Sequence, residues 1–124
     1  MTRAIRSHET GGPEVLKWEP LDVPAPAADQ VRLRHTAVGL NYIDTYHRSG
    51  LYPVELPTTL GVEGAGVVEQ IGSAVESLKV GDRVAYAGGP LGAYSDARTM
   101  PADRLVKLPD EIGDQQAAAL MLKG

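Results

Sequence analysis

Fourteen glycines and nine prolines punctuate this 124-residue chain. Proline removes a backbone donor and glycine loses the most conformational freedom on ordering, so both are costly inside helices. The segments between them are short, and several alternate apolar and polar residues. That pattern predicts many short strands joined by turns, in a barrel or sandwich. A first strand is expected over 3–8 and a second over 15–19, paired across Gly11-Gly12-Pro13. Trp18, the single tryptophan, is expected to plug a barrel or to sit half-buried at the surface.

The cleanest strand signal runs from 30 to 39. Val31, Leu33, His35 and Ala37 share one face, and Arg32, Arg34, Thr36 and Val38 the other. His35 reads as a satisfied core or edge histidine, because no other His or Asp stands at ligand spacing from it. The strand delivers the densest collection of functional side chains, GLNYIDTYHRSGLYP at 39–53. Asn41 is a good helix N-cap and Gly50 a good stop, so a short helical turn is expected between them. Asp44, Tyr46 and His47 point in different directions around that turn, so only a subset can face one ligand.

Glycines 61, 64 and 66 interrupt an expected strand over 59–71. Their spacing, G-x-x-G-x-G, reverses the dinucleotide fingerprint and runs into Val67-Val68 and not into a helix. They therefore read as bulges or close backbone approaches. Further strands are expected over 83–87, 93–99 and 104–107. After Pro109 the composition changes, and 115–123 predicts a helix capped by Asp110 or Asp114, with an apolar stripe of Ala117, Leu120 and Met121.

Composition limits the function classes. One domain of this length has no room for a complete doubly wound nucleotide unit beside its own core. A net charge of −4 with scattered basic residues gives no footprint for nucleic acid. There is no cysteine, hence no disulfide or thiolate zinc site. No apolar run approaches the roughly 18 residues of a membrane span, and the first residues lack a signal-peptide core. A cytoplasmic location is the expectation.

Four segments, GGPEVL at 11–16, GLNYIDTYHRSGLYP at 39–53, LGVEGAGVVEQIGSAV at 60–75 and VGDRVAY at 80–86, together resemble the zinc-free quinone oxidoreductases of the medium-chain dehydrogenase/reductase superfamily, the group that includes zeta-crystallin. The resemblance covers essentially the whole chain. It implies a GroES-like, partly open β-barrel over 1–110, with 111–124 starting the helical connection to a Rossmann domain absent from this sequence. It further implies that a full-length protein passes hydride from NADPH to a quinone bound between the domains, as a homodimer. This chain alone is expected to be inactive, to hold NADPH poorly and to self-associate through its last helix. Asn41 matches the family's Asn beside the ribose or quinone oxygen. Tyr42, Asp44 and Tyr46 match positions around the nicotinamide ribose, and Tyr52 matches an aromatic of the quinone pocket. His47 has no such match and reads as a surface residue.

Zinc alcohol dehydrogenases of the same superfamily carry Cys where this chain has Asn41 and His where it has Val62. An alcohol needs a Lewis acid as its hydride leaves. A quinone carbonyl is already electrophilic, so positioning and a few donors suffice. Two alternatives stand beside this reading. One is an enoyl-thioester reductase, a neighbouring branch with a similar G-x-Y-P element, in which Tyr52 would donate the proton. The other is a non-catalytic GroES-like scaffold, which would have no need of the N-x-x-D-x-Y and G-L-Y-P elements.

Overall fold

The computed structural model describes residues 2–121. Eight strands, two α-helices and two 3-10 turns follow one another as β1 (Arg3–Ser7), a turn at Pro13–Val15, β2 (Leu16–Pro20), β3 (Gln30–Val38), α1 (Tyr42–Ser49), β4 (Thr58–Thr59), β5 (Glu63–Ile71), β6 (Arg83–Ala87), β7 (Ala97–Pro101), a turn at Ala102–Arg104, β8 (Val106–Lys107) and α2 (Asp114–Leu120). A three-stranded sheet is ordered β2-β1-β4 and a five-stranded sheet β7-β3-β5-β6-β8. All pairings are antiparallel. The sheets do not close into a barrel. They are laced together where Ala4 bridges Ser95, so the architecture is the partly open one expected.

Alternation along the strands builds two apolar layers. Val31, Leu33, Val68, Val84, Tyr86 and Met100 pack together in one, while Ala65 and Ala85 meet Ala117 and Ala118 of α2 in the other. Strand β3 is the pivot, pairing with both β5 and β7. Trp18 takes the surface alternative, 54% exposed.

Three of the expected strands need correction. The strand predicted over 59–71 is two strands, because Gly61 adopts φ +106° and its carbonyl turns aside to accept the amides of Gly92 and Ala93. The strand predicted over 93–99 begins only at Ala97. The amides before it are committed elsewhere: Tyr94 N–H to Leu60, Ser95 N–H to Ala93 and Asp96 N–H to Arg3. The strand predicted over 104–107 shrinks to Val106–Lys107, after the turn at Ala102–Arg104.

Helix α2 is capped by Gly113, not by Asp110 or Asp114. Asp114 is engaged instead by Arg83, whose Nε and Nη2 donate to it at 3.0 and 2.7 Å while Nη2 also reaches the Ile112 carbonyl at 2.6 Å. Partial burial opposes the charge of Asp114, but Arg83 and the Thr36 hydroxyl outweigh it and hold its carboxyl below the ordinary value. The buried stripe of α2 is Ala117 and Ala118, whereas Leu120 is 59% exposed. Two alanines let the helix approach the sheet closely. A Cβ added to Gly39 would overlap both the Ala118 carbonyl and the Glu63 carboxyl. The rest of the predicted helix, 122 and 123, lies outside the described residues. Among the described residues no helix is long and apolar enough to cross a membrane.

Candidate active site

Helix α1 starts where β3 leaves the sheet. Asn41, at φ −132° and ψ 154°, is its N-cap, and Gly50, at φ +90°, its C-cap. The left-handed C-cap suits glycine. Asp44 reaches back from the first turn and accepts the Asn41 N–H at 2.9 Å, half of a capping box. Gly11 secures the other end of the helix, since its N–H donates to the Arg48 carbonyl at 3.0 Å and Arg48 Nε donates to its carbonyl at 3.1 Å.

The five candidate residues divide into an inner and an outer group. Asn41 and Asp44 are buried, 8% and 4% exposed. Asn41 Nδ2 donates to Glu63 Oε1 at 2.9 Å, a contact that sequence reading missed. Glu63 sits in the G-V-E-G run that drew attention only for its glycines. A Glu among apolar neighbours at the start of a strand was the signal available. Asp44 Oδ2 also accepts the hydroxyl of Tyr94, and Oδ1 is buried without a hydrogen-bonding partner among the described residues. Asp44 thus lies under the helix and does not stand on its open side.

Tyr42, Tyr46 and Tyr52 form the outer group. Tyr42 is 75% and Tyr52 49% exposed. Tyr42 and Tyr46 are one helical turn apart and so share a side of α1. The Tyr46 carbonyl accepts the Tyr52 amide at 3.2 Å, and the two rings meet edge-on with centroids 5.2 Å apart. His47 lies 6.3 Å from the Tyr52 ring, half-buried at its edge, so it is less incidental than a freely solvated surface residue. An apolar recess beside the N-cap is lined by Leu40, Asn41, Tyr42 and Thr45. A second depression runs from 37 to 41 across Glu63 to Gln115 and Ala118 of α2. Asn41 lies on the wall between them and is common to both.

His35 belongs to neither group. Its Nε2 meets the Tyr86 hydroxyl at 2.7 Å and its Nδ1 the Ser95 carbonyl at 2.8 Å, the satisfied core histidine expected. The glycines of β5 are likewise structural: a Cβ at Gly66 would strike the Arg34 carbonyl. Among the described residues no group of three His, Cys, Asp or Glu side chains could hold a metal ion.

Comparison with known proteins agrees with this fold. The quinone oxidoreductase of Pseudomonas aeruginosa is 55% identical over all of this chain, which spans 38% of that protein. The 2-haloacrylate reductase of a Burkholderia species is 45% identical, again over all of this chain and 39% of its own length. The crystal structure of Escherichia coli quinone oxidoreductase complexed with NADPH superposes with a TM-score of 0.95 at 48% identity, covering 99% of this chain and 38% of that one. The chain therefore spans well under half the length of the relatives it matches. The alcohol dehydrogenase GroES-like domain family matches residues 27–110. With that match over more than half of its length, the chain belongs to the alcohol dehydrogenase GroES-like domains of the medium-chain dehydrogenase/reductase superfamily.

Proposed function

We propose that this chain is the substrate-side half of an NADPH-dependent quinone oxidoreductase that transfers hydride without zinc. The observation that carries the reading is the N-terminus of α1, where a buried amide, Asn41, is pinned by Glu63 at the edge of two depressions, with Tyr42 and Tyr46 along one side of the helix and the Tyr52 ring against Tyr46. Likeness to a quinone oxidoreductase complexed with NADPH supports it. NADPH would supply the hydride. Exposed Leu40 and Tyr42 offer apolar surface to a nicotinamide, and Asn41 offers a polar partner for a ribose or quinone oxygen, so the residues present fit that end of the cofactor.

They do not fit its pyrophosphate. Helix N-termini attract anions through free N–H groups and the helix dipole, but Asp44 occupies the first turn of α1 and Asp114 that of α2. The phosphate platform is assigned instead to a part of the full-length protein outside this chain, which spans 38% of the relatives' length. The substrate side needs only to orient an electrophile and exclude water. An Asn amide has two N–H groups. One goes to Glu63, which leaves the other for an oxygen in the cleft. Zinc chemistry has poor donors here, since Asn41 and Val62 replace thiolate and imidazole and Val62 is buried. In the full-length protein, Asn41→Ala should lower kcat for 1,4-benzoquinone about a hundredfold, the low end of the cost of losing one positioned donor. Unchanged kinetics would remove Asn41 from the site.

A second acceptor class is favoured by Tyr52, half-exposed beside Tyr46, and by likeness to a reductase of 2-haloacrylate. A quinone that takes up the hydride ends as a hydroquinone with its protons on oxygen, whereas a conjugated alkene takes the hydride on its β carbon and then needs a proton on the adjacent carbon. Tyr52 could supply it. Tyr52→Phe should abolish reduction of a crotonyl thioester while sparing quinone; equal losses on both would rule out the proton-donor role. A full-length homodimer in the cytoplasm completes the proposal.

A further inference from the structure

The sequence reading passed over Tyr94. It lies in the irregular run before β7, yet its position is fixed from three sides. Its N–H donates to the Leu60 carbonyl at 2.9 Å, and its own carbonyl accepts the Ile5 N–H at 2.8 Å, so its backbone is tied to β1 and to the link between β4 and β5. Its ring packs on the core layer of Leu33 and Tyr86. Its hydroxyl therefore emerges at a fixed point under α1, where it donates to Asp44 Oδ2 and lies 3.3 Å from the Gly39 carbonyl. Burial first, then the bond to Asp44 and the charges of Asp44 and Glu63, push its pKa well above the ordinary tyrosine value, which keeps the hydroxyl a donor throughout the working range.

The oxygen that receives this hydroxyl is the same one that accepts the Asn41 N–H at 2.9 Å. We propose that Tyr94 is a positioning residue for Asn41, acting through Asp44. Resting on the reading of Asn41 as a site residue, the argument is one of donor supply. A carboxylate this buried requires its hydrogen bonds. With Oδ1 unpartnered, the Tyr94 hydroxyl and the Asn41 N–H are the donors that hold Asp44 in place among the described residues. Removing the hydroxyl exposes the carboxylate to an unmet demand that is relieved most easily by opening the first turn of α1 to water. The turn that opens is the one that aims Asn41, and a displacement of about an ångström is enough to slow a reaction that depends on alignment.

The test is a double-mutant cycle in the full-length protein with NADPH and 1,4-benzoquinone, using Tyr94→Phe, Asn41→Ala and the pair. Tyr94→Phe keeps the ring. It should lower kcat about tenfold with the KM for NADPH within about twofold, because alignment and not binding is lost. In the Asn41→Ala background the same change should cost less than about twofold, the signature of one residue acting through another. An equal loss in both backgrounds, or no loss from Tyr94→Phe alone, would overturn the proposal. Wild-type rates in Asn41→Ala itself would sink the site assignment first and this proposal with it. Should Tyr94→Phe fail to fold, hydrogen exchange on the unaltered protein decides: the Asn41 amide must be strongly protected, and exchange at the rate of a free amide would refute the tie to Asp44.

Discussion

Lowering the pH should destabilise this domain through one residue, His35. Arg98 Nη1 donates to the Tyr86 oxygen at 3.4 Å, and arginine has no acceptor to offer in return. The Tyr86 proton must then go to His35 Nε2, 2.7 Å away, and the proton on Nδ1 to the Ser95 carbonyl at 2.8 Å. This one-way chain needs a neutral imidazole. A proton on Nε2 would face the Tyr86 hydroxyl with two donors and no acceptor, beside a buried guanidinium that lies 5.3 Å from the centre of the Tyr86 ring. Burial is the main cause that lowers the His35 pKa from 6.5 to about 4; the Ser95 bond opposes it, the Arg98 charge adds to it and Asp96 again opposes.

An unfolded His35 takes up its proton near 6.5, the folded one only near 4. Between those values the unfolded chain binds more protons, so the stabilisation is fully present above the upper value and is lost as pH falls towards the lower. The complete loss is about 3 kcal/mol, of which about 2 kcal/mol has gone by about pH 5. Urea unfolding of this chain at about pH 7 and pH 5, for wild type and His35→Gln, isolates the effect, because carboxylates common to both cancel in the difference. The variant begins less stable but should lose about 2 kcal/mol less across the interval. NMR titration of the wild-type imidazole supplies an independent value. A midpoint near 6.5, or parallel losses in the two proteins, would refute the reasoning.

The pyrophosphate argument predicts that calorimetry of this chain with NADPH detects no micromolar binding, and a micromolar Kd would show that a phosphate platform exists within these residues. Gly39→Ala should destabilise the domain by about 1–3 kcal/mol, the usual cost of overpacking, because the new methyl meets the Ala118 carbonyl and Glu63; an unchanged Tm would mean that α2 sits further out. Arg83→Met should loosen α2 by removing the bonds to Asp114 and Ile112, visible as faster amide exchange over 114–120 with β5 unchanged.

Much of this fold was legible because its signals are local. Alternation from Val31 to Ala37 gave β3, and Asn41 with Gly50 gave both ends of α1. What failed depends on partners distant in sequence. Gly61 breaks a strand whose composition runs on without a break, because the Gly92 and Ala93 amides claim its carbonyl. Asp114 was a plausible cap until Arg83 claimed it. The site shows the same division. The residue types were visible at 41–52, but their sorting into a buried pair and an outer trio of tyrosines was not, since the buried pair is held by Glu63 and Tyr94, 22 and 50 residues away from their partners.

That sorting also accounts for where the domain keeps apolar surface in water. Val38, Leu40, Tyr42, Leu51, Tyr52 and Leu56 are all exposed, although Leu33, Leu60 and Val62 nearby are buried. Exposed apolar side chains gathered within residues 38–56 fit a place where a ligand or another part of the protein belongs. They bracket the one helix whose first turn is locked from beneath by Asp44, Tyr94 and Glu63. Under the proposed function, the polar support beneath would set the aim of the Asn41 amide, and the aromatic surface above would let a flat, apolar acceptor settle against it. Replacing Tyr42 and Tyr52 with Ser should therefore raise the KM for hydrophobic quinones more than for small hydrophilic ones, while replacing Tyr94 should alter kcat for both alike. Steady-state kinetics on a quinone series separates the two, and a uniform rise in KM from either replacement would contradict this division of roles.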